Sequence, residues 1–384
     1  MKMNPFEKII SDFSGEILVG QVERKTQNRI VSLFRDRLGY DYLGNWEDRS
    51  DNSNIEEGYL RLFLQRSGYS ETLINKAIDE LKKTVNRPQV SLYEINKETY
   101  SLLRYGIKVK EGLGEKNQTV FLIDWKHPEN NHFAIAEEVT IRGNRTKRPD
   151  VVLYVNGIAL GVIEFKRSIV SVSEGIRQNI GNQKEEFIKS FFGTVQLVMA
   201  GNDTEGLLYG TTETTEENYL TWKEPGLGNE SRLDRSILQL CEKTRLLEIA
   251  HDFIVFDSGI KKTCRHNQYF GIKAAQEYVQ RHEGGIIWHT QGSGKSITMV
   301  WLAKWIRENI DDSRVLVLTD RTELDDQIER VYLGVDEKIW RAPKHRATRF
   351  APIEAGGLEN LVEPFGFRLL LHQAGAGDDH GVDG

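Results

Sequence analysis

Cysteine is nearly absent from this chain, and the two present, Cys241 and Cys264, stand far apart with no metal-ligand spacing. That excludes a disulfide framework and a cysteine zinc site, and it suits a reducing compartment. Long apolar runs are absent too. Nothing approaches the roughly 18 apolar residues that a membrane helix requires, and the start, Met1-Lys-Met-Asn-Pro-Phe-Glu, lacks the apolar core of a signal peptide. A cytoplasmic protein without a membrane partner is expected. Excess positive charge is missing as well: the net charge of −6 excludes a histone-like, globally basic binder, so any contact with nucleic acid must use local patches. There is no internal repeat and no low-complexity tract. What remains is 384 residues with 28% charged and 39% hydrophobic side chains, an ordinary globular composition long enough for two or three domains.

The most informative stretch is residues 148–166. Asp150 opens a short apolar strand, Val151 to Val155, and Asn156-Gly157 is a strong two-residue hairpin turn. The return strand, Ile158 to Lys166, carries Glu164 and Lys166 two residues apart. Side chains at i and i+2 of a strand leave the same face about 7 Å apart, while Ile163 and Phe165 take the other face. Charge placed in an apolar sheet costs several kcal/mol unless it has a use. One reading is a cation site: two carboxylates and the Phe165 carbonyl as hard oxygen ligands for Mg²⁺, with Lys166 orienting a water and stabilising charge on a phosphate. The alternative is a solvated edge pair with Asp150 as a loop cap. Just upstream, Arg142, Arg145, Lys147 and Arg148 put four cations in seven residues, which suits either a phosphate backbone or a solvated loop.

A second constellation lies downstream. Gly284 to Trp288 reads as a buried strand, His289-Thr-Gln-Gly292-Ser-Gly294-Lys295-Ser296 as a glycine-bearing loop, and Ile297 to Glu308 as a helix. A strand, loop and helix with Gly-Lys-Ser at the helix start is a phosphate cradle. Backbone N–H groups of Gly292, Ser293 and Gly294 close on phosphate oxygens, Lys295 reaches the outer phosphates of ATP, and Ser296 is a Mg²⁺ ligand. His289 replaces the usual first glycine.

The Pro-Asp150 … Glu164-Phe-Lys166 arrangement resembles the PD-(D/E)xK nucleases. The surrounding text is similar to the restriction (R) subunit of type I restriction–modification enzymes: Glu23-Arg-Lys-Thr-Gln27, Tyr105-Gly-Ile-Lys-Val109, Val120-Phe-Leu-Ile-Asp124, Asn130 to Ala136 and Gln196 to Asn202. The likeness runs from about residue 7 to about residue 340. It implies cleavage of DNA phosphodiesters with Mg²⁺ at Asp150 and Glu164, an ATP-driven translocase, and assembly on double-stranded DNA with methyltransferase and specificity subunits. It also implies a glutamine on the following helix, usually as Gln-x-x-x-Tyr. Gln178 matches the glutamine, while Asn182 stands at the tyrosine position; Gln183 with Phe187 offers the same spacing five residues on. Glu23 is a candidate extra acidic ligand or a solvated helix charge.

Downstream, Arg265-His-Asn-Gln268-Tyr269 and Arg314 to Gln327, the latter a buried strand followed by a polar loop and helix, resemble parts of a superfamily 2 helicase motor. In that likeness Gln268 reads adenine, Tyr269 supports it or packs, and Asp320, Arg321 and Gln327 lie near DNA or the lobe interface. The motor's Asp-Glu-x-His box is not found after Ser296, and from about Arg341 the composition changes: the last forty residues lack Lys, Ser and Tyr. Weak nucleotide binding, negligible hydrolysis and a truncated or frame-shifted tail are therefore expected.

Mostly helical sequence over 7–90, short strands from about 100 to 166, a helix at 173–189, a strand at Thr194 to Ala200, a polar turn-rich stretch at 203–231 (a surface excursion or an irregular segment of the first domain) and a helix at 233–250 predict an α/β sheet with the hairpin near its centre. The expected domains are a PD-(D/E)xK restriction-endonuclease-like domain over 1–250, part of a RecA-like P-loop domain over 251–340, and an atypical tail over 341–384. Alternative functions are a standalone DNA nuclease and a catalytically incomplete remnant that binds DNA or partner subunits.

Overall fold

The computed structural model describes residues 24–225, 230–290, 292–313, 315–317 and 322–334. Glu23, Asp320, Arg321, the side chain of Gln327 and the 341–384 tail lie outside the described residues. The chain divides into two units, one ending at His266 and one starting at Asn267.

The first unit is built on a seven-stranded mixed sheet. Its strands are β1 (Asp41–Asn45), β4 (Phe133–Glu137), β5 (Val151–Val155), β6 (Ile158–Phe165), β7 (Leu197–Asn202), β8 (Gly206–Gly210) and β9 (Leu220–Thr221), hydrogen-bonded in that order. The hairpin β5–β6 occupies the middle, β6 pairing antiparallel with β5 and parallel with β7. Every residue of β4, β5, β6 and β7 is buried, so these strands read as continuous apolar runs rather than alternating ones. Around the sheet stand α1 (24–32), which passes into a π turn at Leu33–Arg37, then α2 (Glu57–Arg66), α3 (Glu71–Val85), α4 (Leu92–Tyr105), α5 (Val172–Asn182), α6 (Arg232–Leu240) and α7 (Lys243–Asp252). Two small hairpins, β2 (Ile107–Val109) with β3 (Gln118–Val120) and β10 (Val255–Asp257) with β11 (Ile260–Lys262), complete it.

Sequence cues place the helix starts. Ser91 and Glu94 form a capping box at α4: the Glu94 N–H donates to Ser91 Oγ at 3.2 Å, and Ser91 Oγ donates to Glu94 Oε2 at 2.9 Å. Ser70, Ser171 and Ser231 cap α3, α5 and α6. At the hairpin tip Asn156 (φ 51°) and Gly157 (φ 78°) both take the left-handed backbone that this turn demands. A Cβ on Gly157 would sit 2.4 Å from the Glu56 carbonyl oxygen, so glycine is required there twice over.

Two expectations shift. The helix expected at 173–189 stops at Asn182, and beyond it the carbonyls of Glu185 and Phe187 accept from Asn144, through its side-chain NH₂ at 2.8 Å and its backbone N–H at 3.1 Å. The 203–231 stretch is no mere excursion: after an Asx turn in which Asn202 Oδ1 accepts from the N–H groups of Thr204 and Glu205, β8 and β9 extend the sheet. Leu207 and Tyr209 of β8 are fully buried.

Residues 251–266 pack with the first unit. Lys261 on β11 is 4% exposed, and its ammonium donates to Asn96 Oδ1 (2.6 Å) and Gln196 Oε1 (2.8 Å), with the Val195 and Gln196 carbonyls at 3.3 Å. Cys241 and Cys264 are buried free thiols.

The second unit shows α8, which begins at His266 and runs to Gln280, α9 (Lys295–Asn309) and α10 (Thr322–Gly334). Met299, Val300 and Ala303 of α9 pack against Ile328 and Tyr332 of α10. The strands expected at Gly284–Trp288 and after Arg314 are not formed among the described residues, and Ile286 and Trp288 are 84% and 80% exposed. A strand's N–H and C=O groups need a neighbouring strand, and no described segment of this unit offers one. Among the described residues no helix is long and apolar enough to cross a membrane.

Candidate active site

Ladder register brings the two carboxylates of the hairpin together. Val151 faces Ile163, Val152 faces Val162 and Leu153 faces Gly161, and one further step along that register sets Asp150 across from Glu164. The Phe165 N–H donates to Asp150 Oδ2 at 2.6 Å, and the Asp150 charge is, after burial, the largest influence on the Glu164 carboxyl. Glu164 is fully buried, which rules out a solvated edge pair at that position.

Lys166 stands one residue beyond β6, its N–H donating to the Gly201 carbonyl at 2.9 Å. Between it and Glu164 lies Gln178. Lys166 Nζ donates to Gln178 Oε1 at 2.8 Å, and Gln178 Nε2 donates to Glu164 Oε2 at 2.6 Å. One amide therefore reads both partners and fixes their spacing. It does so because Gly175, Gln178 and Asn182 share one face of α5 (i, i+3, i+7). A Cβ on Gly175 would contact Ala200 Cβ at 3.2 Å, Lys166 Cγ at 3.4 Å and Glu164 Cβ at 3.6 Å, so the missing side chain lets the helix close on the strand. Asn182 Nδ2 reaches the other Glu164 oxygen at 3.4 Å. The alternative glutamine, Gln183, points elsewhere: it donates to the Asn179 carbonyl and accepts from the Glu213 N–H.

Electrostatics mark this as a charge-starved site. Burial pushes the Glu164 carboxyl well above the ordinary carboxylate range, and the neighbouring Asp150 charge adds to it; Lys166 pulls the other way. Two carboxylates crowded in low dielectric fit a cation between them. Among the described residues no three His, Cys, Asp or Glu side chains gather to enclose a metal. The donor set is thus two carboxylates with room for carbonyl or water oxygens, which suits Mg²⁺ better than a zinc site of four protein ligands.

Sequence reasoning missed Glu138, the residue after β4. It holds a left-handed backbone (φ 51°), its N–H donates to the Asp150 carbonyl at 2.9 Å, and its charge also raises Glu164. Gln27 Nε2 donates to Glu138 Oε1 at 2.8 Å. No periodicity flags Glu138; Gln27 stood inside a stretch already singled out. The basic loop is not uniform either. Arg148 pairs with Glu138 at 2.8 Å and with Glu47, and Lys147 Nζ lies 4.1 Å from the Phe187 ring centre. Arg142 and Arg145 are exposed.

In the second unit, Gly292 (φ 76°) and Gly294 (φ 81°) take left-handed backbones and α9 starts at Lys295. Lys295 Nζ donates to the His289 and Thr290 carbonyls, each at 3.1 Å, and Ser293 Oγ donates to the Thr290 carbonyl at 2.7 Å. Ser296 occupies the second position of α9. Gln268 is 3% exposed; its Nε2 donates to the Gly294 carbonyl (3.1 Å) and to Thr298 Oγ1 (3.3 Å), so it braces the loop from beneath. Tyr269 is buried against Phe270.

The central hairpin of the mixed sheet thus carries two carboxylates, with a lysine one residue beyond its second strand. The chain belongs to the family described as Type I restriction enzyme R protein N terminus, whose pattern matches residues 20–217. Residues 267–350 match that of the SWI2/SNF2 ATPase. A Methanocaldococcus jannaschii protein named provisionally as the type I restriction enzyme MjaVIIIP endonuclease subunit is 29% identical over 316 residues, 76% of this chain and 30% of that protein. The type I restriction enzyme HindI endonuclease subunit of Haemophilus influenzae is 25% identical over 320 residues, 74% of this chain and 30% of its own. The SauCOLORF180P endonuclease subunit of Staphylococcus aureus is 24% identical over 217 residues, 55% and 23%. The chain thus spans about 30% of the length of the first two relatives.

Proposed function

We propose that this chain is the nuclease-bearing portion of a type I restriction endonuclease R subunit, cutting DNA phosphodiesters at Asp150, Glu164 and Lys166. Its first unit is read as a PD-(D/E)xK domain and its second as part of a RecA-like motor, working in the cytoplasm beside methyltransferase and specificity subunits on double-stranded DNA. The reading rests above all on one observation: the Asp150 carboxylate lies against a fully buried Glu164, which Gln178 ties to Lys166.

Asp150 and Glu164 would hold Mg²⁺, which when bound supplies Lewis acidity at the scissile phosphate and lowers the pKa of a water. The Lys166 ammonium, fixed by Gln178, orients the attacking water and offsets charge gathering on the phosphate. Asp150 is held in place by the Phe165 N–H. Exposed Arg142 and Arg145 take the DNA backbone. In the second unit the N–H groups of Gly292, Ser293 and Gly294, the Lys295 ammonium and the Ser296 hydroxyl would hold ATP with its Mg²⁺, and Gln268 would support that loop.

Plasmid nicking with Mg²⁺ tests the nuclease reading. The chain nicks supercoiled plasmid, and Asp150→Ala and Lys166→Ala each lower the rate by about 10²-fold or more; equal nicking by either variant refutes the assignment.

A further inference from the structure

Behind Glu164 lies a set of buried polar atoms that the catalytic reading does not use. Asn182 is 1% exposed and Tyr219 9% exposed, yet neither Asn182 Oδ1 nor the Tyr219 hydroxyl has a hydrogen-bond partner among the described residues. Leaving such groups unmet is costly, and in folded proteins a buried water commonly meets them. Both belong to the surroundings of one carboxylate. Asn182 already offers its NH₂ to Glu164 Oε1. Tyr219, between the 3₁₀ turn Glu216–Asn218 and β9, packs with Val172 and Ile176 of α5 and with Ala200 of β7. Ala200 is the register neighbour of Glu164 and shares its side of the sheet, beneath Gly175. The Glu164 charge reaches the phenol, second only to burial among the influences that raise it.

We propose that Tyr219 and Asn182 are positioning residues for Glu164, linked by one buried water that accepts from the Tyr219 hydroxyl and donates to Asn182 Oδ1 and to the Glu164 carboxylate. Three hydrogen bonds are what a buried water ordinarily makes. The relay fixes the orientation of the carboxylate, so that its remaining lone pairs stay aimed at the cation. The proposal rests on the cation reading of Asp150 and Glu164.

The test uses the whole chain and Mn²⁺ as the probe, its binding followed by electron paramagnetic resonance beside thermal unfolding. Tyr219→Phe removes one hydroxyl and keeps the ring; it weakens Mn²⁺ binding about tenfold, as loss of an outer-shell partner does, without lowering the unfolding midpoint. Asn182→Ala weakens it similarly. The double variant is no weaker than the stronger single, because either change breaks the same relay. Unchanged Mn²⁺ affinity in Tyr219→Phe, or additive losses in the double variant, overturns the relay. Asp150→Ala separates this from the parent reading. If it abolishes binding while Tyr219→Phe binds normally, only the relay falls; if wild type and Asp150→Ala bind alike, or neither binds, both fall.

Discussion

Replacing Glu164 by glutamine should make the protein more stable at neutral pH while ending its chemistry. Burial first, and the Asp150 charge second, raise the Glu164 carboxyl well above its ordinary 4.5. The folded state then keeps a proton that the unfolded state has lost, so stability falls as pH rises from about 4.5 toward the raised value. One group contributes at most about 1.4 kcal/mol per pH unit, hence up to about 2.7 kcal/mol between pH 5 and pH 7. Against this, a glutamine offers one oxygen where Gln178 Nε2 and Asn182 Nδ2 each reach a different oxygen of Glu164, so one of these two bonds is lost, about 1 kcal/mol. The introduced NH₂ takes the place of the acid O–H beside the Asp150 carboxylate. Net stabilisation at pH 7 is about 1–2 kcal/mol, several degrees in midpoint for a unit of this size, shrinking to nothing near pH 5. Thermal unfolding of wild type and Glu164→Gln across pH 5 to 7, without divalent ions, measures it. A variant less stable than wild type at pH 7, or a difference that does not grow with pH, would refute the reasoning. Saturating Mg²⁺ should close the gap, by raising the wild-type midpoint and not the variant's.

Lys261 works in the opposite sense: burial lowers its pKa well below 10.5, so the unfolded state binds the extra proton and stability rises with pH up to about 10.5. Lys261→Met should remove that slope, at most about 1.4 kcal/mol per unit, in urea titrations at several pH values; an unchanged slope counts against it. Gly175→Val places branches where a lone Cβ already meets Ala200 and Lys166. It should destabilise by about 1–3 kcal/mol and lower plasmid nicking, whereas Gly175→Ala, offset by better helix propensity, stays within about 1 kcal/mol of wild type. Lys295→Ala should weaken binding of a fluorescent ATP analogue at least about tenfold by removing the ammonium beside the phosphates; unaltered titration would remove the ATP reading from the second unit.

The hairpin was legible because everything that specifies it is local: Asn156-Gly157 dictates the turn, the turn dictates the register, and the register sets Asp150 opposite Glu164. Gln178 was reached through family likeness, and the amide bridge it forms was not visible in spacing. Glu138 and Tyr219 escaped notice, and Asn182 was noted only as a departure from the family pattern, because their approach to Glu164 depends on which strands and helices become neighbours. β8 was hidden by glycines at both ends, Gly206 and Gly210. In the second unit the apolar runs Gly284–Trp288 and Val315–Val317 have strand composition, but composition cannot supply the neighbouring strand that a ladder needs.

Asp150, Glu164, Lys166 and Gln178 all fall within one hairpin and the helix that follows it. The side chains proposed to cut DNA are therefore inherited as one uninterrupted block of chain. Recombination that exchanges segments on either side, or lengthens the connection between β8 and β9, leaves the block whole. A crossover inside it separates the acid pair from the amide that aligns the lysine.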